Sequence, residues 1–212
     1  MKKALSLVFV LALLFSFAGC KEKADYAENA PSHGVVTGQS YKSDYTGLRF
    51  TVNNDKWVFS SDEDLAAGCG IDPESYISDF SQVLQNNKTV YDMMATSEAH
   101  HMSVLTGFEN LTLAEEDPDM KASDYVEKMV DTFVSGINTE SMPYTVSDTE
   151  MVTLCDHTYA RKILTVSPEE AGTEGSTLSQ AYYARNLGGY MSITLVFFPK
   201  TVTIEQVEAL FV

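Results

Sequence analysis

The chain has 212 residues, of which 14 are Lys or Arg and 30 are Asp or Glu, so its formal net charge is −16. Proteins that bind nucleic acid need clustered Lys and Arg to contact the phosphate backbone. Here the charged clusters are acidic, as in Asp62-Glu63-Asp64. The composition therefore argues against nucleic acid as a partner, and the acidic runs are typical of a solvated surface.

The first twenty residues have the pattern of a lipoprotein signal peptide. Lys2 and Lys3 precede an almost unbroken apolar run over residues 4–18, and Gly19 and Cys20 follow it. The run is shorter than the roughly 20 residues of a membrane-spanning helix. Small residues directly before a cysteine favour cleavage there and lipidation of the cysteine. We expect a palmitate-type lipid anchor on Cys20, although an ordinary secretory signal with an incidental cysteine is an alternative.

This anchor would place the protein at the outer, extracellular face of the cytoplasmic membrane. Residues 20–40 then have the composition of a flexible tether, since they hold few large aliphatic residues and contain Pro31, Gly34 and Gly38. No second segment of this kind occurs in residues 41–212, and a chain of that length can bury its apolar surface in one core. We predict a signal peptide over 1–19, the lipidated cysteine and tether over 20–40, and one domain over 41–212.

Within the domain, the spacing of apolar residues alternates between the strand and the helix period. The Gly188-Gly189 pair predicts a hairpin turn, because primed turns require positive φ and glycine adopts it without strain. Strands joined by such tight turns favour an antiparallel sheet. Strands are predicted over 41–43, 48–52, 56–60, 89–95, 102–108, 144–147, 151–154, 158–166, 178–187 and 190–198.

Four helical segments accompany these strands. Ser60 or Ser61 can cap a short helix that ends at Gly68, and Asp72-Pro73 can open a second one. The second helix is expected to bury one face made of Tyr76, Ile77, Phe80, Val83 and Leu84. A longer helix has a buried stripe from residue 122 to residue 137.

The fourth helix lies at the C-terminus, where Thr203 and Gln206 have the spacing of a capping box. Its apolar face predicts that it docks on the sheet; this face consists of Ile204, Val207, Leu210 and Phe211. Together the elements indicate the α+β class, with a twisted antiparallel β-sheet covered by a few helices.

Several motifs of the domain resemble those of a known group of proteins. They are Tyr-x-Ser-x-x-x-Gly-Leu-x-Phe-Thr-Val-x-x-x-x-Trp over 41–57, Ser-Asp-Glu-Asp-Leu-Ala over 61–66, and shorter matches at 90–95, 108–111 and 182–185. In these the chain resembles uncharacterised small lipoproteins of Gram-positive, clostridial-type bacteria. Such proteins often carry a proline before the tryptophan, where this chain has Asn54-Asp55-Lys56. The resemblance implies a PsbP-like α/β/α sandwich and a location in the cell envelope. It does not imply any enzymatic reaction.

Cys69 and Cys155 are the only thiols besides Cys20. In an extracytoplasmic protein two such residues can form a disulfide, and both are predicted to lie beside turns. Two separate, partly buried thiols are the other interpretation. The spacing alone leaves both open.

Two further clusters could suggest chemistry. Cys155, Asp156 and His157 are consecutive, but neighbours on a turn or strand point apart, whereas a catalytic triad needs side chains that converge. His100 and His101 are adjacent and diverge in the same way, so they make a poor zinc site. No phosphate-binding loop, nucleophile elbow or dinucleotide fingerprint occurs in the sequence. We predict no catalytic residue, no metal site and no cofactor.

The preferred function is a non-catalytic lipoprotein module that binds an unknown protein or another component of the cell envelope through the sheet or its loops. One alternative is a carrier of a small ligand or metal ion, which would need a polar-lined cavity. A second alternative is a small envelope hydrolase, which would need a converging nucleophile and base.

Overall fold

The computed structural model describes residues 32–52, 56–137, 140, 142–168, 172 and 176–212. The predicted signal peptide, Cys20 and residues 21–31 of the predicted tether lie outside the described residues. No helix in the described ranges is long and apolar enough to span a bilayer.

The described residues form eleven strands and five helices. The strands are β1 Val35–Thr37, β2 Ser40–Lys42, β3 Arg49–Thr51, β4 Val58–Phe59, β5 Thr89–Ser97, β6 Met102–Asn110, β7 Tyr144–Val146, β8 Glu150–Leu154, β9 His157–Val166, β10 Leu178–Asn186 and β11 Tyr190–Pro199. The helices are α1 Asp62–Cys69, α2 Pro73–Ser78, α3 Phe80–Asn86, α4 Ala122–Ser135 and α5 Ile204–Glu208. These bounds agree closely with most of the predicted segments.

The strands form two sheets. The small sheet has the order β1-β2-β3, and the large sheet has the order β4-β5-β6-β11-β10-β9-β7, with β8 also paired to β9. Every pairing is antiparallel, which confirms the predicted α+β class. The sequence did not show that the first three strands form a sheet of their own.

The large sheet is covered on both faces. Alternate residues of β11, such as Ile193 and Leu195, pack with α4 residues such as Val126 and Val130. The residues between them, such as Val196, pack on the other face against the small sheet and α5. A third group of buried residues lies where α1, α2 and α3 meet β5 and β6. The core therefore lies in layers on either side of the large sheet.

Two hairpins show how local sequence sets the strand pairing. Gly188 and Gly189 have φ values of 72° and 91° and join β10 to β11, as predicted. Cys155 and Asp156 also have positive φ, 49° and 66°, and form the two-residue connection between β8 and β9. The first pair is the two-glycine turn predicted from the sequence, whereas the second consists of residues that adopt positive φ less often than glycine does.

The predicted helix after Pro73 is interrupted, which corrects the sequence analysis. Asp79 has an extended φ of −150°, ends α2, and accepts a hydrogen bond from the Gln82 amide at 3.0 Å as the cap of α3. Ile77 was expected on the buried face but is 56% exposed. Tyr76 sets the inner face of the short α2, and the next residue is rotated by about 100° away from it.

The predicted tether is also too long. Val35–Thr37 pairs with β2 through the turn at Gly38, and Gly34 is buried. A three-residue strand bounded by glycines gives no detectable period in sequence. The folded domain therefore includes residues from His33 onward and does not start at residue 41.

The C-terminal helix docks as predicted. Thr203 and Gln206 form the capping box, and Val207 and Phe211 are buried in the layer between the two sheets. The Leu210 carbonyl accepts a hydrogen bond from the Thr51 amide at 2.9 Å, which ties the chain end to the small sheet.

We predict that deleting residues 203–212 abolishes the cooperative thermal transition. Val207 and Phe211 each contribute about 1.5–3 kcal/mol by burial, and the deletion would also expose apolar sheet surface in a domain whose stability is about 5–15 kcal/mol. Thermal unfolding followed by circular dichroism tests this. Deleting only the exposed Val212 is the control and should leave the melting temperature within a degree or two. A truncated protein that melts close to its parent would contradict the assigned role of α5.

Candidate functional site

The structure places the two candidate disulfide cysteines in separate surroundings. Both Cys69 and Cys155 are free thiols. Cys69 lies at the end of α1, where its sulfur accepts a hydrogen bond from the Tyr91 amide at 3.2 Å. Cys155 lies in the β8–β9 turn and contacts both backbone groups of Arg49, at 3.2 and 3.3 Å. The arrangement is therefore that of two separate thiols, and it contains no bridge.

The histidines named in the sequence analysis lie at two different hairpins, β5–β6 and β8–β9. His157 packs against Gly47, where an added Cβ would come within 2.1 Å of its ring. His100 and His101 lie in the turn between β5 and β6, and His101 has a φ of 51°. Within the part of the chain that the structure describes, no group of three or more His, Cys, Asp or Glu side chains could hold a metal ion.

A buried carboxylate that the sequence analysis missed forms the best-defined polar site. Asp92 lies in β5 and is only 1% exposed. Its Oδ1 accepts a hydrogen bond from the Gly34 amide at 2.8 Å, and its Oδ2 accepts one from the Tyr41 hydroxyl at 2.5 Å. We call Asp92 and the surrounding His33, Gly34, Tyr41 and Tyr76 the Asp92 cluster.

A β-bulge positions this carboxylate. The register between β5 and β6 shifts between Tyr91 and Met93, so Asp92 has no directly opposed residue. Gly107 lies opposite Tyr91, and a Cβ there would come within 2.5 Å of the Val90 carbonyl oxygen. The close approach of the two backbones at the bulge therefore requires glycine at position 107.

His33 closes the cluster from the solvent side. Its Nε2 is 3.2 Å from the Tyr76 hydroxyl and 3.5 Å from an oxygen of Asp62, and its Nδ1 is 3.8 Å from Oδ1 of Asp92. The ring also packs edge-on against Phe80, with 4.9 Å between the ring centroids. Four elements, α1, α2, α3 and β5, thus contact His33, which lies within the predicted tether.

Burial controls the electrostatics of the cluster. It raises the pKa of Asp92, while the nearby His33 and the hydrogen bonds from Tyr41 and Gly34 act in the opposite direction. Burial, together with the Asp92 charge, also raises the pKa of Tyr41 and of Tyr76. Both phenols therefore stay protonated and act as donors, Tyr76 to the Tyr91 carbonyl at 2.6 Å.

The Asp92 cluster attaches the N-terminal segment to β5 of the large sheet. Both carboxylate oxygens are occupied by donors, and one of these donors is the backbone of the N-terminal segment. The contacts join residues 51 and 58 positions apart in the chain. A charged residue inside the apolar run Val90-Tyr91-Asp92-Met93-Met94 is the signal that could have indicated this site, since a buried carboxylate needs partners.

A second buried carboxylate attaches α4. Glu109 of β6 accepts a hydrogen bond from the Tyr125 hydroxyl at 2.7 Å, and Lys88 lies 3.9 Å away. Burial raises the pKa of Glu109, and both of these partners lower it. Glu109 thus joins the large sheet to α4 as Asp92 joins it to the N-terminal segment.

A small pocket lies between β5, β6, β11 and α4. Its cavity volume is about 20 Å³, and apolar atoms of residues such as Leu105, Met129 and Ile193 line it. This volume holds about one water molecule. Binding sites for small organic molecules are typically about 300–1,000 Å³, so this pocket does not provide the cavity that a carrier requires.

Comparison with known proteins assigns the chain to no family. No family model and no curated protein matches the sequence. The structure is similar to the solution structure of cyanobacterial PsbP (CyanoP) from Synechocystis sp. PCC 6803, with a TM-score of 0.42 and 11% identity over 80% of this chain and 86% of that one. The motifs of the sequence led us to expect a neighbour of the PsbP type. The α+β class itself follows from the sheets and helices described above.

We predict that Asp92→Asn changes how stability depends on pH. Because burial raises the pKa of Asp92, the folded protein keeps a proton that the unfolded chain has already released, and stability falls as pH rises through this range. Asparagine has one acceptor oxygen and can keep one of the two hydrogen bonds. It does not titrate in this range, so it removes the contribution of Asp92 to the pH dependence of stability. Urea unfolding from pH 4 to pH 8 should show the variant gaining stability relative to the parent. Parallel curves for the two proteins would contradict the prediction.

Proposed function

We propose that the protein is a membrane-anchored extracytoplasmic lipoprotein, and that its domain binds a protein or another envelope component without catalysing a reaction. The observation that carries the proposal is the arrangement of the N-terminal segment. Residues 33 and 34 are fastened to the core, and the strand that follows them exposes apolar side chains to solvent.

The anchoring part of the proposal rests on the sequence. The apolar run that ends at Gly19 and Cys20 has the composition and length of a cleaved lipoprotein signal. An acidic protein is repelled by anionic lipid headgroups, so attachment depends on the acyl chains, and two chains suffice for stable anchoring.

The binding part rests on β1. This strand is at the end of the small sheet, with β2 as its strand neighbour on one side. Val35 is 62% exposed and Val36 is 41% exposed. Edge strands are commonly protected by charge, proline or a bulge, and Val35–Thr37 contains no charged residue and no proline. Its exposed valines offer an apolar contact for a partner near the point where the tether would enter.

The non-catalytic part of the proposal is supported by the structural role of the two buried carboxyl groups. The carboxylates of Asp92 and Glu109 each accept a hydrogen bond from a tyrosine and attach separate segments to the large sheet. Both therefore act in holding the fold together.

The anchor is tested by Cys20→Ser. This variant removes the lipidation site, so we expect the protein in the culture medium or as an unprocessed precursor, whereas the parent fractionates with membranes. Immunoblots of membrane and medium fractions provide the measurement. Fully processed variant protein that stays in the membrane fraction would overturn the anchoring proposal.

The binding surface is tested by cross-linking in intact cells. A photo-reactive amino acid at Val35 should give discrete cross-linked species on gels, because this strand is the proposed contact. Val212 is a matched control, since it is also a valine and also 62% exposed, but it lies outside the sheets. Equal cross-linking at both positions, or none at Val35, would count against β1 as the binding surface.

A further inference from the structure

A layer of polar side chains crosses the interior between the two sheets. It contains Thr106 of β6, Ser192 and Thr194 of β11, and Tyr159 of β9, all of which are more than nine-tenths buried. Arg185 of β10 lies at one end of the layer, and the Asp92 cluster lies at the other. These residues are distinct from the contacts that fasten the N-terminal segment.

Strand register brings the layer together. Thr194 lies directly opposite Thr106, and Ser192 lies directly opposite Arg185. Because side chains alternate between the faces of a sheet, Ser192 and Thr194 share one face. It is the face on which Val104 and Val196 pack against the small sheet.

The two ends of the layer differ in chemistry, with a guanidinium group at one end and a carboxyl group at the other. Arg185 donates a hydrogen bond to the Thr46 carbonyl at 2.9 Å, and its guanidinium lies 5.9 Å from the centre of the Tyr159 ring. At the other end, Tyr41 donates to the buried carboxylate of Asp92. The hydroxyl groups between them therefore lie between a guanidinium group and a carboxyl group.

Three of these hydroxyl groups are buried without a well-formed hydrogen bond among the described residues. Thr106 Oγ1 lies beside the Tyr41 hydroxyl, and the Tyr159 hydroxyl lies beside Arg185 and Ser192. Neither of them, nor Thr194 Oγ1, makes a hydrogen bond of normal geometry with any described residue. Buried polar groups without a partner are rare in folded proteins, and ordered water commonly satisfies them.

We propose that ordered water binds in this layer and bridges the hydroxyl groups of Thr194, Thr106 and Tyr159. Water suits the site because each hydroxyl can both donate and accept, so one small molecule can complete several hydrogen bonds. Globular proteins hold about one buried water per 27 residues. The bridge extends the hydrogen-bond network of Asp92 and Tyr41 across the interior toward Arg185.

The first test is Thr194→Val, which replaces a hydroxyl by a methyl group of nearly the same size. Removing a hydrogen-bonded buried hydroxyl raises the unfolding equilibrium constant by about five- to tenfold. We expect this increase in urea unfolding of the protein at neutral pH. If no water binds the Thr194 hydroxyl, valine removes a buried polar group that has no hydrogen bond. The unfolding equilibrium constant then stays the same or falls. That outcome would overturn the proposal.

A double-mutant cycle and a direct observation complete the test. If Thr194 and Tyr159 share a water, then Thr194→Val and Tyr159→Phe together should cost less than the sum of the single changes. Crystals diffracting to about 1.5 Å should show a water oxygen within hydrogen-bond distance of Thr194 Oγ1 and of at least one other hydroxyl of the layer. Additive single effects or an interior without such a water would each contradict the bridge.

Discussion

The pairing of β11 with β6 and β10 is the interaction on which the rest of the structure depends. This strand joins the N-terminal half of the large sheet to the C-terminal half, and its residues from Tyr190 to Phe198 are all buried. Its alternate side chains supply apolar surface to both faces. The α4 layer and the small-sheet layer therefore share one strand, and neither layer can be completed without it.

Polar contacts determine which segments attach to this framework. Asp92, Glu109 and Arg161 each hold a segment from another part of the chain: the N-terminal residues, α4 and α5, respectively. Each contact pairs a charged group with a hydrogen-bonding partner, which limits the cost of burying the charge. Apolar burial thus stabilises the layers, while these pairs specify where the segments dock.

The sequence predicted the features that depend on neighbouring residues. The Gly188-Gly189 turn, the Thr203 capping box and the stripe of α4 are all local patterns, and the structure confirms them. The separate small sheet, strand β1 and the Asp92 cluster could not be predicted in the same way. They depend on contacts such as Gly34 to Asp92, which join residues 58 positions apart. The break at Asp79 was missed because a helix period and a pair of short helices give similar apolar spacing.

The late position of β11 in the chain affects how the protein can fold during synthesis. Until about residue 200 has been made, β6 has no partner on its inner edge, and the two halves of the large sheet stay apart. Loop closure over such distances makes the sheet slow to form. An incomplete chain therefore cannot complete either layer of the core, and it exposes the unpaired edges of β6 and β10, with which another chain could pair.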